Sequence, residues 1–472
     1  LKLPIPDQQR EVSIPVRGWR WTFHLRRIFG SGRGGFGPGI LTNTAYLGAA
    51  RMLQLFVGFT IGIFVARYLG PENAGALAYA VSFVALFSSA ADLGLDAIVI
   101  RDLAANEPDS VASETILSSA FVLRMLASPA TFAIVAVGSM LVDHDARMRI
   151  LIVIVASGVI FQPMSIVDLY FQARVQSKYV VYAQLAALAV VSAARVMLVH
   201  FNATLMAFAA VTVAETALSM CGLAYVYRKH RGHLPRLSAS KQVAIRLLTE
   251  AWPLALTGVL TSVYINVDRV LVKHLLGNAS AGKYAVVVSI STALYFVPMA
   301  FGQSLFPSLI EARRDAALYE KRLQQAFDTL LWAAVFIALP VTLIAEPLMR
   351  LLYGAPYAGS GAALAIVVWS AVVTFLGLVT SYWLVAENLQ RIYPIRILAS
   401  LCTCVVLNLV LVPRLGIRGA AVATVVAQFV SSTIVYAFSR NTRVLIVMQL
   451  KALVLPYRLW ASWTSERNNH TQ

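Results

Sequence analysis

The strongest constraint on this chain is the length of its apolar stretches. Twelve of them reach the roughly 20 residues that a membrane-spanning helix needs: 43–66, 74–92, 115–141, 150–170, 179–199, 203–227, 251–275, 282–306, 326–348, 362–386, 392–412 and 417–438. Inside hydrocarbon every backbone N–H and C=O must be satisfied within the structure, which leaves helices and closed barrels. Barrel strands read as short alternating segments, and this sequence shows long continuous ones. Only 13% of the residues are charged and 59% are hydrophobic. The expected fold is all-α: a polytopic membrane protein of about 12 transmembrane helices, since each run is long enough for one crossing.

The net charge of +17 has to be read through this topology. With the N-terminus inside, 26 of the 39 Lys and Arg fall in the two tails and the even-numbered loops. Eight fall in or beside the odd-numbered loops, and five (Arg51, Arg124, Arg195, Arg269, Arg396) lie within the runs. A positive excess on one side marks the cytoplasmic face, so both termini are expected there. The basic balance then reflects orientation and contact with anionic membrane lipids; no nucleic-acid partner is expected. The cysteines Cys221, Cys402 and Cys404 all fall in apolar runs, which gives neither a disulfide framework nor a metal site. Residues 1–42 are too polar to hold the apolar core of a cleavable signal peptide.

Five segments follow. Residues 1–42 form a basic cytoplasmic tail, in which 17–30 mixes Arg with Trp19, Trp21, Phe23 and Phe29 in the manner of an interfacial helix. Six runs over 43–227 make an N-terminal half. A basic linker, 228–250, leads to a C-terminal half over 251–438. The tail 439–472 is basic and interfacial, with a thirteenth span at 444–460 as an alternative. A repeat supports the two halves: YLGPENAGALAYAVS (68–82) matches LLGNASAGKYAVVVS (275–289) at seven of fifteen positions, including Gly70/Gly277, Gly75/Gly282 and Ser82/Ser289. Six runs separate the copies, so both face the same side. Halves related in this way commonly enclose a central cavity and rock about it.

Charges within the runs are expensive, at least about 2.5–3.5 kcal/mol at a helix centre, so each needs a partner or water. Arg195 and Arg396 lie near run ends, where a long side chain can snorkel. Arg124 and Glu215 lie deeper in the same half. They read either as an ion pair holding that half together, or as a cavity arginine beside an acid able to carry a proton. Asp268 and Arg269 are adjacent, hence about 100° apart around a helix. Arg269 reads as lining an aqueous cavity. Asp268 reads as pairing with a loop residue such as Lys273 or as an ion-coupling group. After the second run, Gly94 breaks the helix, and 92–104 reads as a short amphipathic piece on the cytoplasmic face carrying Asp96 and Arg101.

The stretch 66–104, with Tyr68, Leu69, Gly70, Gly75, Gly94, Leu95, Arg101 and Ala104, resembles the N-terminal signature of the polysaccharide transporter group of the MOP flippase superfamily, which includes O-antigen flippases of the Wzx type. The stretch 265–312, with Asp268, Arg269, Gly277, Gly282, Tyr284, Phe306 and Pro307, looks like the start of that family's second half, and 413–424 like the approach to its last helix. The resemblance implies a flippase, not an enzyme. Its substrate would be an undecaprenyl-diphosphate-linked oligosaccharide, moved across the bacterial cytoplasmic membrane by alternating access for O-antigen or exopolysaccharide synthesis. Coupling to an H+ or Na+ gradient is implied, as is work beside a polysaccharide polymerase and chain-length proteins. Arg51, Arg124 and Arg269 become the candidates for meeting diphosphate or glycan. A lipid II flippase or a multidrug exporter of the same superfamily stands as the alternative. A membrane polymerase or ligase ranks lower: the odd-numbered loops are short, and no nucleotide-sugar motif or paired catalytic carboxylates appear.

Overall fold

The computed structural model describes residues 38–107, 110–233, 239–313 and 315–455. The interfacial helix expected over 17–30 and the tail beyond 455 lie outside the described residues. Every regular element among the described residues is helical. The first half comprises α1 (Pro38–Asp92), α2 (Asp96–Ala105), α3 (Val111–Val142), α4 (Ala146–Ser157), α5 (Ile166–Ala173), α6 (Lys178–His200) and α7 (Leu205–Arg231). The second comprises α8 (Lys241–Leu276), α9 (Asn278–Ala293), α10 (Phe296–Ala312), α11 (Ala316–Leu343), α12 (Ala345–Tyr353), α13 (Gly361–Val367), α14 (Ser370–Ala386), α15 (Ile392–Leu415), α16 (Ile417–Ser432) and α17 (Arg443–Leu453).

All twelve apolar runs fall on these helices. Ten helical stretches among the described residues are long and apolar enough to cross a membrane. Two features separate ten from twelve. The stretch Met52–Ala105 holds two runs joined at the kink of α1. The run 282–306 is divided between α9 and α10 by a break at residues 294–295. Polar side chains within the spans mostly bond back to their own helix, as Thr60 does to the Phe56 carbonyl and Thr257 to that of Pro253. Two helix starts outside the apolar runs are capped by side chains in this way: Ser110 accepts from the Ser113 N–H, and Asp145 from that of Arg147.

Buried side chains gather in two clusters per half. One N-terminal cluster, around Leu95, Leu103, Tyr170 and Tyr227, also takes in Leu247 and Ala251 of α8. The helix that opens the second half is therefore seated in the first at its N-terminal end. The linker 228–250 is helical up to Arg231 and again from Lys241. The eleven residues of α17 reach about 16 Å, short of the roughly 30 Å of hydrocarbon. This helix instead lays Leu445, Met448 and Ala452 into the cluster of Leu323, Phe327 and Leu330 from α11.

Candidate functional site

The repeat in the sequence is a meeting point in the fold. α1 turns at Gly70 (φ 69°, ψ 171°) and α8 passes into α9 at Gly277 (φ 83°, ψ 177°), the same backbone step twice. Positive φ is a conformation glycine adopts without penalty. Five residues on, the two copies touch across the halves. A Cβ built on Gly75 would stand 1.8 Å from the Asn278 carbonyl oxygen, and one on Gly282 would stand 2.0 Å from that of Pro71. Beside this crossing Lys273 pairs with Asp143, whose other oxygen accepts the Tyr79 hydroxyl at 2.6 Å. The Nε2 of His274 lies 3.1 Å from the same hydroxyl. The Tyr357 hydroxyl donates to the Ala66 carbonyl at 2.8 Å. Apart from the Tyr79–Asp143 bond within the first half, these contacts run from one half to the other and close this end of the bundle.

Next to the closure lies a cavity of about 520 Å³, within the ordinary range of ligand pockets. α1, α6 and α7 wall it on one side, and α8, α9 and α12 on the other. The walls are largely apolar, with Ser82, Thr212 and Ser289 among the polar exceptions. Two guanidiniums line it. Arg269, on α8, has only the Asn266 side-chain oxygen at 3.5 Å, and no ion-pair partner among the described residues. Arg195, on α6, donates to Glu215 Oε2 at 2.7 Å. Glu215 follows Phe208 and Thr212 of the cavity wall at seven and three residues' distance, on one face of α7.

Several sequence expectations change here. Arg124 and Glu215 do not pair: Glu215 goes to Arg195, and Arg124, only 1% exposed, goes to Asp96, the Asp92 carboxylate and carbonyl, and Ser165. Arg124 is not among the cavity's lining residues. The reason is the turn after α1, where Leu93 and Gly94 (φ 53° and 65°) fold Asp96 back over α3. Arg195, read as snorkelling, lines the cavity instead. Arg51 sits on α1, but its side chain lies outside the described residues. Arg269 is in the cavity wall, as expected.

Asp268 does not pair with Lys273, which Asp143 holds. It points away from the cavity into the second half and is 8% exposed. Its Oδ1 accepts from Asn408 at 3.0 Å and Cys404 at 2.6 Å, and its Oδ2 from Thr424 at 2.8 Å and Tyr284 at 3.2 Å. All four donors are neutral, and no ion-pair partner of Asp268 exists among the described residues. Asn408 Oδ1 is buried beside it without a hydrogen-bond partner. The sequence signal for this cluster was available: Cys404 and Asn408 are four residues apart, on one face of a helix.

At the opposite end of the bundle, α2 packs Ile98, Val99 and Leu103 inward. Arg101 bridges Asp102 and Glu250 of α8, the latter at 2.6 Å. Arg246 reaches Asp102 at 2.8 Å. The turn before α2 brings the backbone of Gly94 against that of Ala255. Asp96 and Arg101 therefore serve separate contacts, one within the first half and one between α2 and α8.

The family described as "Polysaccharide biosynthesis protein" matches residues 40–313, more than half of the chain. The chain belongs to this family. Within curated proteins, the capsular polysaccharide biosynthesis protein CapF of Staphylococcus aureus is 22% identical over 198 residues, 40% of this chain and 48% of CapF. The match thus spans about half the length of that relative. Among solved structures, the lipid II flippase MurJ in an inward closed conformation superposes with a TM-score of 0.70 at 14% identity, over 88% of this chain and 92% of MurJ. An inward-facing multidrug resistance MATE family transporter of the MOP superfamily gives 0.67 at 12% identity, over 84% and 95%. These likenesses establish the fold. The chain is thus a polysaccharide biosynthesis protein by family, with the fold of a multi-pass helical membrane protein.

Proposed function

We propose that this protein flips an undecaprenyl-diphosphate-linked oligosaccharide across the bacterial cytoplasmic membrane by alternating access, for O-antigen or exopolysaccharide assembly. The observation that carries the reading is the cavity between the halves, with Arg269 in its wall and no carboxylate within ion-pair distance of it among the described residues. A guanidinium fork pairs with phosphate oxygens bidentately, and a diphosphate cannot shed its hydration in about 30 Å of hydrocarbon without such a replacement. The apolar remainder of the wall would face the polyprenyl chain where it leaves for the bilayer. On this reading both termini are cytoplasmic, and the Gly75–Gly282 crossing closes the cavity towards the outside.

The same reading gives Asp268 the coupling role. A carboxylate enclosed by neutral donors, beside an unpartnered amide oxygen, supports binding of H+ or Na+ there.

Reconstituted flipping tests both parts. Purified protein goes into liposomes carrying an undecaprenyl-diphosphate oligosaccharide on one leaflet, and a membrane-impermeant glycosidase follows its appearance on the other. Wild type should expose the glycan, and Arg269→Ala should do so about tenfold more slowly, the cost of one lost charge-assisted bond. Wild-type protein that moves none of several glycans under imposed H+ and Na+ gradients would refute the proposal.

A further inference from the structure

Arg195 and Arg269 both line the cavity, yet only Arg195 has a carboxylate. We infer that Glu215 is an exchangeable counter-ion for Arg195, holding its guanidinium while the cavity is empty and yielding it to the diphosphate of an arriving substrate. The inference rests on the flippase reading above.

The geometry separates this pair from a structural one. Arg124 is sealed in the first half, 1% exposed, with Asp96, Asp92 and Ser165 around it, and it does not line the cavity. The Arg195 side chain is 18% exposed and that of Glu215 is 36% exposed, so neither is sealed by packing as Arg124 is. One hydrogen bond of 2.7 Å holds them, from a single nitrogen to a single oxygen. A single bond of this kind can be exchanged for one from another anion.

The charge balance gives the exchange a purpose. Among the described residues two guanidiniums line the cavity, and Glu215 holds one of them. A diphosphate diester carries two negative charges and matches both arginines only when Glu215 gives way. A carrier must also return empty through a closed state. There, two unpaired guanidiniums around one low-dielectric space would repel, and Glu215 removes half of that burden. The carboxylate therefore weakens substrate binding and speeds both release and return. It is a positioning residue that acts through Arg195.

The test uses the full chain, with undecaprenyl diphosphate as the probe for binding and the glycan-linked form for flipping. In Glu215→Gln, which keeps size and removes charge, the probe should bind about three- to fivefold more tightly, the worth of a partly exposed ion pair. KM and kcat should fall together in the flipping assay, because release is slowed. Glu215→Asp should restore wild-type values, and Arg195→Ala should weaken binding. Unchanged or weaker binding in Glu215→Gln, at an unchanged melting temperature, would overturn the inference. So would a loss of melting temperature shared equally by Glu215→Gln and Arg195→Ala, which would make the pair structural. If Arg269→Ala and Arg195→Ala both bind the probe as wild type does, the cavity reading itself fails and the inference falls with it.

Discussion

Gly75→Ala should force open the end of the bundle that carries Gly70 and Gly277. The new methyl carbon would lie 1.8 Å from the Asn278 carbonyl oxygen, where such contacts do not come closer than 3.0 Å. The atom in the way is backbone and cannot rotate aside, so the two copies of the repeat must separate by at least the difference, 1.2 Å, at that point. Overpacking of this kind costs about 1–3 kcal/mol. On the flippase reading the cost falls on the closed arrangement, because it arises from the approach of Gly75 to Asn278. The closed state should therefore lose about 5- to 150-fold in population relative to open ones. Gly282→Ala meets the Pro71 carbonyl at 2.0 Å and acts on the same crossing, so the double variant should fall short of the sum. Hydrogen exchange reads the effect directly: amides over 70–82 and 277–289 should exchange faster by the same factor, while those of α17 should not. Gly258→Ala is the control, a glycine on α8 with no atom within 4 Å of its Cβ. Wild-type exchange in Gly75→Ala, at an unchanged melting temperature, would refute the steric reasoning.

Arg124→Met should lower the melting temperature without changing affinity for a polyprenyl diphosphate. Losing a fully buried pair costs about 3–5 kcal/mol, and the 60% exposure of Asp96 reduces that to about 1–3 kcal/mol. Asp268→Asn keeps a neutral acceptor in the cluster, so flipping should persist but stop responding to an imposed gradient; a retained response would remove Asp268 from the coupling role. The Glu346 carboxyl is held below its ordinary value of 4.5, chiefly by the Gly359 N–H and further by Arg350 and the Gly361 N–H. A depressed pKa stabilises above the unfolded value and is lost as pH falls through the folded one. Protection of amides over 354–361 should thus be flat near neutrality and decline only below pH 4.5. In Glu346→Gln it should be lower already at neutral pH.

Apolar length and glycine spacing were legible in the sequence because each is a local property. Hydrocarbon thickness fixes the runs, and the shared Gly70/Gly277 and Gly75/Gly282 mark a backbone step and a close approach that no other residue serves as well. Pairing was not legible, because it depends on which faces meet. Counting residues along runs placed Arg124 and Glu215 at similar depth in one half, and depth alone offered them as partners, with a cavity arginine beside an acid as the other reading. The left-handed turn at Leu93 and Gly94 returns Asp96 to Arg124 and leaves Glu215 to α6. Of the four donors to Asp268 only Tyr284 is near it in sequence; the other three lie 136, 140 and 156 residues away, on α15 and α16, where counting along α8 does not reach.

The two halves differ where their shared architecture would let them be alike. α6 and α15 each end at a left-handed residue, Asn202 (φ 52°) or Gly416 (φ 60°), and each packs on the helix that follows. Facing inward, α6 presents Ala183, Ala187 and Val191, which is all that close packing asks. α15 instead buries Ser400, Cys404 and Asn408, and carries Arg396 one turn before Ser400. Arg396 donates to Ser381 and Tyr436, Ser400 to the Ala427 carbonyl, and Cys404 to Asp268. Polar groups at such places are costly in a membrane unless each is bonded, and helix association does not require them. The second half is thus built around a column of hydrogen bonds that ends at Asp268, while the first half keeps an apolar stripe and spends its one charge there, Arg195, on the cavity wall. α8 carries the link between the two. Asp268 and Arg269 are adjacent and about 100° apart, so one faces the polar column and the other the cavity. On the flippase reading, any rotation or bend of α8 that follows a change of charge at Asp268 must move Arg269, and this is a reason for two full charges to stand side by side in a membrane-spanning helix.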